Sequence, residues 1–442
     1  MKNKLLNLWE IISTSFWFVP ALMVVFSIII SFTMIALDNV IEPENFEAFP
    51  FLYAGGPEGA RSILSTLAGS MITVAGVTFS ITIVALALTS SQFGPRLLRN
   101  FMNDTGNQIV LGTFIATFIY CLLVLRSIYS FDGRVFIPNI SVTFAIILAI
   151  VDAGVFIFFI HHVSTSIQAD RVIAVVYQEL SEHLQQFFPE ESENKSLQIK
   201  DKINDAQPAE YRYTYANDIT APISGYLRVI DTGNLLKTAE EHDFCVHLLF
   251  RPGEFIVQGS PLAAVKSSKP VKKEFIDPIA GFFIIGQQRS PEQDIEFAIH
   301  QLVEIALRAL SPGINDPFTA IACIDRLGAA LCCLTSRAFP LPHRYDAEGR
   351  LRIIAKTPTF EGVVNVAFDQ IRQYGKASVS VTIRLLESLK TIAERACYPE
   401  QRQAILRQAD MIMRSSRNSV EDENDKNDIR QRYQELLIVI NE

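Results

Sequence analysis

Four long apolar runs in the first 160 residues constrain this chain more than any other feature. They are FWFVPALMVVFSIIISFTMIAL at 16–37, ILSTLAGSMITVAGVTFSITIVALAL at 63–88, IVLGTFIATFIYCLLVL at 109–125 and ISVTFAIILAIVDAGVFIFFI at 140–160. A helix needs about 20 apolar residues to cross the hydrocarbon core of a bilayer. In lipid every backbone N–H and C=O must be satisfied within the protein, so such runs predict helices. The first is longer than a signal-peptide core and no small-residue cleavage site follows it, so it predicts an uncleaved anchor. The expectation is an α-helical membrane domain of four transmembrane helices over 1–163, joined to a soluble region.

Charges between the runs orient them. Lys2 and Lys4 precede the first run, and Arg96 and Arg99 follow the second. The loop after the first carries Asp38, Glu42, Glu44, Glu47 and Glu58 against Arg61. Lys and Arg concentrate on the cytoplasmic side, which places the N-terminus and the 91–107 loop inside. Arg126 and Arg134 in the short outer loop run against that bias. Trp9 and Trp17 flank the start of the first run, as interfacial aromatics do. Four crossings return the chain to the cytoplasm for residues 163–442. The six cysteines form no CxxC pair or even ladder, which suits reduced thiols. A net charge of −8 without a basic cluster argues against a nucleic-acid partner.

The second run differs from the others. Ser62, Thr66, Gly69, Thr73, Gly76 and Ser80 recur at alternating four- and three-residue steps, which puts them on one helical face. Small residues let helices approach closely, so this is a packing face by one reading. By the other, a hydroxyl and glycine stripe lines a hydrated pathway in an oligomer. Asp152 lies in the middle of the fourth run. A carboxylate at that depth costs about 2.5–3.5 kcal/mol on insertion scales, so it needs a partner, a cavity or an ion path. At about 1.5 Å per residue, Asp152 is level with Thr73, Gly76 and Thr78, which are its expected partners. His161 and His162, at the inner end of the same run, read as solvated or capping groups.

The soluble region divides further. STSIQADRVIAVVYQELSEHLQQF, 164–187, is amphipathic, and the polar stretch after it reads as a linker to 209. Over 210–286, GYLRVI, DFCVHLLF and EFIVQGSPLAAV are short apolar runs between Gly, Pro and Asp signals. They predict a small β barrel-sandwich-like module that resembles half of a biotinyl or lipoyl carrier. Lys237 lacks the carrier hairpin, so no such cofactor is expected. Residues 287–442 predict a helical C-terminal domain, completing a cytoplasmic α+β region. SPEQ at 290–293 reads as a Ser cap, Pro at the first helical position and Gln at the third.

Within that domain SPGINDP, 311–317, reads as a stop, turn and restart between two helices, with Gly313 in a left-handed cap and Asp316 capping the second. Asn315 and Asp316 are also candidate site residues, with His300, Glu304 and Arg308 on one helix face and Asp325 on the next helix. His300 and Glu304 at i,i+4 are too few for a zinc site, which takes three or four ligands, so no metal is expected. An Arg308–Asp325 pair is the preferred alternative. No Walker A loop, dinucleotide glycine pattern, GxSxG elbow or HExxH motif occurs, so neither a cofactor nor a catalytic residue is assigned.

The pairing of LSTLAGSMITVAGVTFSITIVALALTSSQFGPRLLRNF with QDIEFAIHQLVEIALRALSPGINDPFTA resembles a bacterial membrane-protein family, domain of unknown function 2254, over nearly the whole chain. The resemblance implies a multi-pass bacterial membrane protein with a large soluble region and assigns no activity; the expected location is the bacterial inner membrane. The leading expectation is an oligomeric channel or transport protein of three or more subunits in the lipid bilayer, with Asp152 beside the second run. A membrane-anchored sensor or scaffold is the alternative, and an enzyme has the least support.

Overall fold

A computed structural model describes residues 17–40, 56–94, 104–131, 134–189 and 214–442, and the chain divides into two compact units between Arg171 and Val172. The start of the first apolar run, Trp9, Arg96, Arg99 and most of the 189–210 linker lie outside the described residues.

In the first unit the apolar runs form α1 (Phe18–Val40), α2 (Pro57–Phe93), α3 (Thr105–Ser127) and α4 (Asn139–Ser166). A short hairpin, β1 (Tyr129–Phe131) and β2 (Arg134–Phe136), joins the last two. The central helix is α3, packed against α1, α2 and α4. Glycine permits its closest approach: a Cβ on Gly112 would lie 2.5 Å from Met23 Sδ and 3.1 Å from Pro20 Cα of α1. On α1 the burial pattern is inverted relative to a helix of a water-soluble bundle. Buried on α1 are Pro20, Ser27, Ser31 and Asp38, whereas Leu22, Val25, Phe26, Ile29 and Phe32 face outward. Ser27 donates to the Ala116 carbonyl of α3 at 2.6 Å. Polar groups inside and large apolar groups outside suit a surrounding solvent that is itself apolar.

Among the described residues five helices are long and apolar enough to cross a membrane, against the expected four: α1 to α4, and α8 (Pro317–Leu334) of the second unit. The extra one has 18 residues. Its apolar character comes from core packing, because Cys323, Ile324, Leu327 and Leu331 are buried among other helices of that unit.

The division falls in the first turn of α5 (Ala169–Phe187), whose buried stripe, Val172, Ile173, Val176, Leu180 and Leu184, belongs to the second unit. Two sheets follow. One has five strands in the order β3-β7-β5-β10-β9: β3 (Tyr215–Thr220), β7 (Pro261–Ser267), β5 (Cys245–Leu248), β10 (Leu351–Ile354) and β9 (His343–Tyr345). The other is β6-β4-β8: β6 (Phe255–Ile256), β4 (Gly225–Ile230) and β8 (Phe283–Gly286). Leu227, Ile230, Val246, Leu262, Val265, Phe283 and Ile353 of the two sheets share one core, which α6 (Thr232–Glu241) closes through Leu235 and Ala239. The carrier-like barrel does not account for this topology. The stretch RLRIIAKTP, 350–358, contributes β10, which pairs in parallel with β5.

The rest is helical: α7 (Ile295–Ala309), α8, α9 (Phe360–Gly375), α10 (Val379–Ala393), α11 (Pro399–Arg417) and α12 (Glu423–Asn441). SPEQ does not start α7. Asp294 takes the position before the first helical residue, and Gln293 instead joins the sheet, accepting from Ile230 N–H at 3.0 Å. Ser290 bonds Glu292 rather than a helical N–H. A side-chain amide that completes the backbone pairing of Ile230 has a better use there than at a solvated helix start. Docking α5 onto α8 sets Arg326 5.2 Å from the Tyr177 ring, and Arg337 donates to the Phe188 carbonyl at 2.6 Å.

Candidate functional site

The glycine and hydroxyl face of α2 points away from its own bundle. Ser62, Thr66, Gly69, Thr73, Gly76 and Ser80 are all exposed, while Ala60, Leu64, Ala68, Met71, Ala75 and Thr78 are buried. Nothing lies within 4 Å of a Cβ placed on Gly69 or Gly76. Thr73 and Ser80 donate to the carbonyls of Gly69 and Gly76, each at 2.8 Å. Ser70 does the same to Thr66. These donors are satisfied without a second helix. Acceptor lone pairs and bare backbone remain on the outer surface.

Asp152 does not meet that face. It is 1% exposed, and beside it are Thr117 and Cys121 of α3. Among the described residues neither carboxyl oxygen has a partner at hydrogen-bonding geometry. The depth match to Thr73 and Gly76 fails on direction, since Ser141, Val142, Ala145, Asp152 and Phe159 form the buried stripe of α4. Thr78 is buried, but its hydroxyl has no partner among the described residues.

Two carboxylates tie the bundle together by capping helices. Asp38, on α1, accepts from the Ile140 and Ser141 N–H groups at 2.8 and 3.0 Å and from Ser141 Oγ at 2.5 Å. It thereby caps α4, whose own preceding residue, Pro138, supplies no side-chain bond. Asp104 caps α3 through Gly106 N–H at 2.9 Å and pairs with His162 Nε2 at 2.6 Å. His162 therefore joins α4 to α3 at the opposite end, while His161 is exposed. Asp38 was legible only as an acidic loop residue. Its role needs a helix start 102 residues away.

The candidates of the second unit make the following contacts. Asp316 caps α8: Oδ1 accepts from Phe318 and Thr319 N–H at 3.1 and 3.2 Å, and Oδ2 from Thr319 Oγ1 at 2.5 Å. The left-handed residue in the turn is Asn315, at φ 49°, and not Gly313. Asn tolerates that conformation, and here it lets Asp316 N–H reach the Ala309 carbonyl at 2.8 Å. Asp325 pairs with Arg384 of α10, and Arg308 pairs with Glu304 at 3.6 Å, so the expected Arg308–Asp325 pair gives way to these. His300 shares the helix face of Glu304 and Arg308 and is half-buried. Among the described residues no three His, Cys, Asp or Glu side chains are grouped as a metal site requires. The hairpin tip instead presents apolar groups, with Ile314 46% and Phe318 79% exposed.

A groove of about 650 Å³ lies between α9 and α11, lined by Phe360, Glu361, Glu400, Arg407, Asp410 and Arg414 among others. Arg407 pairs with Glu361 across it. No sequence signal marked it, because its residues come from two helix faces with ordinary surface composition.

Comparison with known proteins gives the lineage. Two mycobacterial relatives are the uncharacterized protein Rv1290c of Mycobacterium tuberculosis and the uncharacterized protein Mb1321c of Mycobacterium bovis. Each is 34% identical over 380 residues, covering 85% of this chain and 71% of the relative. No solved structure matches. The family described as predicted membrane protein (DUF2254) matches residues 13–391. With that coverage, the apolar helices and the large apolar side chains they turn outward, this chain is a multi-pass membrane protein and belongs to the DUF2254 family.

Proposed function

We propose that the protein is an oligomeric ion channel or transport protein of the bacterial inner membrane, with a cytoplasmic regulatory region. The observation that carries this reading is the outward face of α2. Six small or hydroxyl residues there are exposed, nothing among the described residues lies within 4 Å of a Cβ placed on Gly69 or Gly76, and the Thr73 and Ser80 hydroxyls already donate within the helix. Placed around an axis shared by three or more copies, that face lets the helices close and lines the space between them with oxygen atoms. In this arrangement α1 to α4 cross the membrane, the N-terminus and the second unit lie in the cytoplasm, and α8 stays in the core of the second unit. Asp152 then acts inside each subunit and not on the axis.

Ion flux through proteoliposomes containing the full-length protein tests the reading. Thr73→Phe and Gly76→Phe should reduce flux strongly, whereas Val77→Phe on a neighbouring face should not. A bilayer that stays silent across salts, pH values and tension, or a protein that is monomeric in lipid, would count decisively against it. The alternative of a membrane-anchored sensor draws on the α9–α11 groove, whose volume is that of a small-molecule site. It predicts a ligand-dependent melting shift that Arg407→Ala removes, with no flux.

A further inference from the structure

At the end of the first unit where Asp104 caps α3, a small cavity of about 10 Å³ is lined by Thr82, Ala85 and Leu86 of α2, Asn107 of α3, and Val163 and Ser166 of α4. Asn107 is 5% exposed, and its Nδ2 donates to Asp104 Oδ2 at 3.2 Å. That bond fixes the amide, since the flipped orientation would set two oxygens face to face. Asn107 Oδ1 is therefore left as a buried acceptor with no partner among the described residues. Thr82 gives its proton to the Thr78 carbonyl at 2.9 Å, so the hydroxyl has only acceptor capacity left. The last turn of α4 adds the carbonyl end of a helix, which also favours a donor. We propose that this cavity is a binding site for one water molecule, which donates to Asn107 Oδ1 and Thr82 Oγ1 and bridges to Ser166, joining α2, α3 and α4.

Size and chemistry both support water. The cavity is at the lower edge of what a single water needs, and three polar side chains fall within the two to four partners such waters take. A divalent cation takes six or more oxygens, while half of this lining is apolar. An empty cavity would leave the amide carbonyl of Asn107 desolvated and unpaired. The site is independent of any conduction between subunits, because all its walls come from one chain.

X-ray hydroxyl-radical labelling of the full-length protein in lipid nanodiscs, in water enriched in oxygen-18, tests this. Radicals born on a bound water modify the side chains touching it. Val163 should be labelled several-fold faster than Val124, which is fully buried away from the cavity. In Asn107→Leu, of similar size but without the acceptor, the Val163 rate should fall toward that of Val124. If Asn107→Leu does not fold, Ser166→Ala serves in its place by removing another partner. Labelling of Val163 at the Val124 rate in the wild type overturns the proposal in favour of a dry void. An undiminished rate in the folded variant also overturns it, because the label then comes from the outer face. A melting temperature raised by sodium or potassium relative to choline, and no longer raised in Asn107→Leu, overturns it in favour of a cation.

Discussion

Asp346 offers the most quantitative test of how the second unit is held together. Its side chain is fully buried in the β9–β10 turn and accepts from Arg350 N–H at 2.7 Å, Arg350 Nε at 3.1 Å and Arg352 Nε at 2.7 Å. Arg352 is itself buried and reaches Asp243 at 2.8 Å, just before β5. This network adds a side-chain link between β10 and the turn before β5 to the backbone pairing of the two strands. Removing one member of a buried pair costs about 3–5 kcal/mol, because the other charge stays desolvated. Asp243 still holds one end of Arg352, so Asp346→Ala should fall near the lower figure. At about 2–4 °C per kcal/mol for domains approaching this size, the loss reads as a fall of roughly 6–12 °C in Tm.

Thermal melts of the full-length protein, followed by far-UV circular dichroism, give the value. The double variant Asp346→Leu/Arg352→Met should recover much of the loss, since apolar replacement of both partners removes the stranded charge. Acid adds a second readout. Burial alone would raise the Asp346 carboxyl, but the Arg350 N–H, the Arg352 hydrogen bond and charge, and the Arg350 charge outweigh it and hold the carboxyl below its usual range. A depressed carboxyl contributes stability that is fully present above its unfolded value, about 3.9, and is lost as pH falls through the folded value. The wild-type Tm should therefore drop below about pH 4, and Asp346→Ala should flatten that part of the drop. A Tm change under about 2 °C at neutral pH, or a double variant no better than the single, would refute the account.

Further outcomes follow from the turn at the hairpin tip and from helix packing. At the hairpin tip Asn315→Val should destabilise, because a β-branched residue is poorly accommodated at φ 49°, whereas Gly313→Ala should be neutral or slightly stabilising because its added Cβ meets nothing. Both are read as Tm in the same melts, with Asp316→Ala costing about 0.5–2 kcal/mol for the lost cap. In the membrane bundle Gly112→Leu should prevent close packing of α1 on α3, read as lost yield of monodisperse protein, while Gly69→Ala should leave the isolated subunit unchanged.

Local features of the sequence carry much of this structure. The lengths of the four apolar runs determined α1 to α4, since an apolar stretch that long in lipid has few alternatives to a helix. Asp316-Pro317 determined the start of α8, because a cap is satisfied by N–H groups two and three residues away. The 3.6-residue period also showed that Ser62 to Ser80 share one face of α2. Which face turns inward was decided by packing, where the Ala60, Ala68 and Ala75 side let α3 approach and left the glycines outside. The same distinction explains Asp38, Asp152 and β10. Asp38 caps a helix it does not belong to, Asp152 follows the buried stripe of α4 toward α3, and β10 finds its parallel neighbour more than 100 residues back. Periodicity and capping act through bonds a few residues long. The edge of a strand, the end of a distant helix and the inward side of a bundle exist only after the chain has closed on itself.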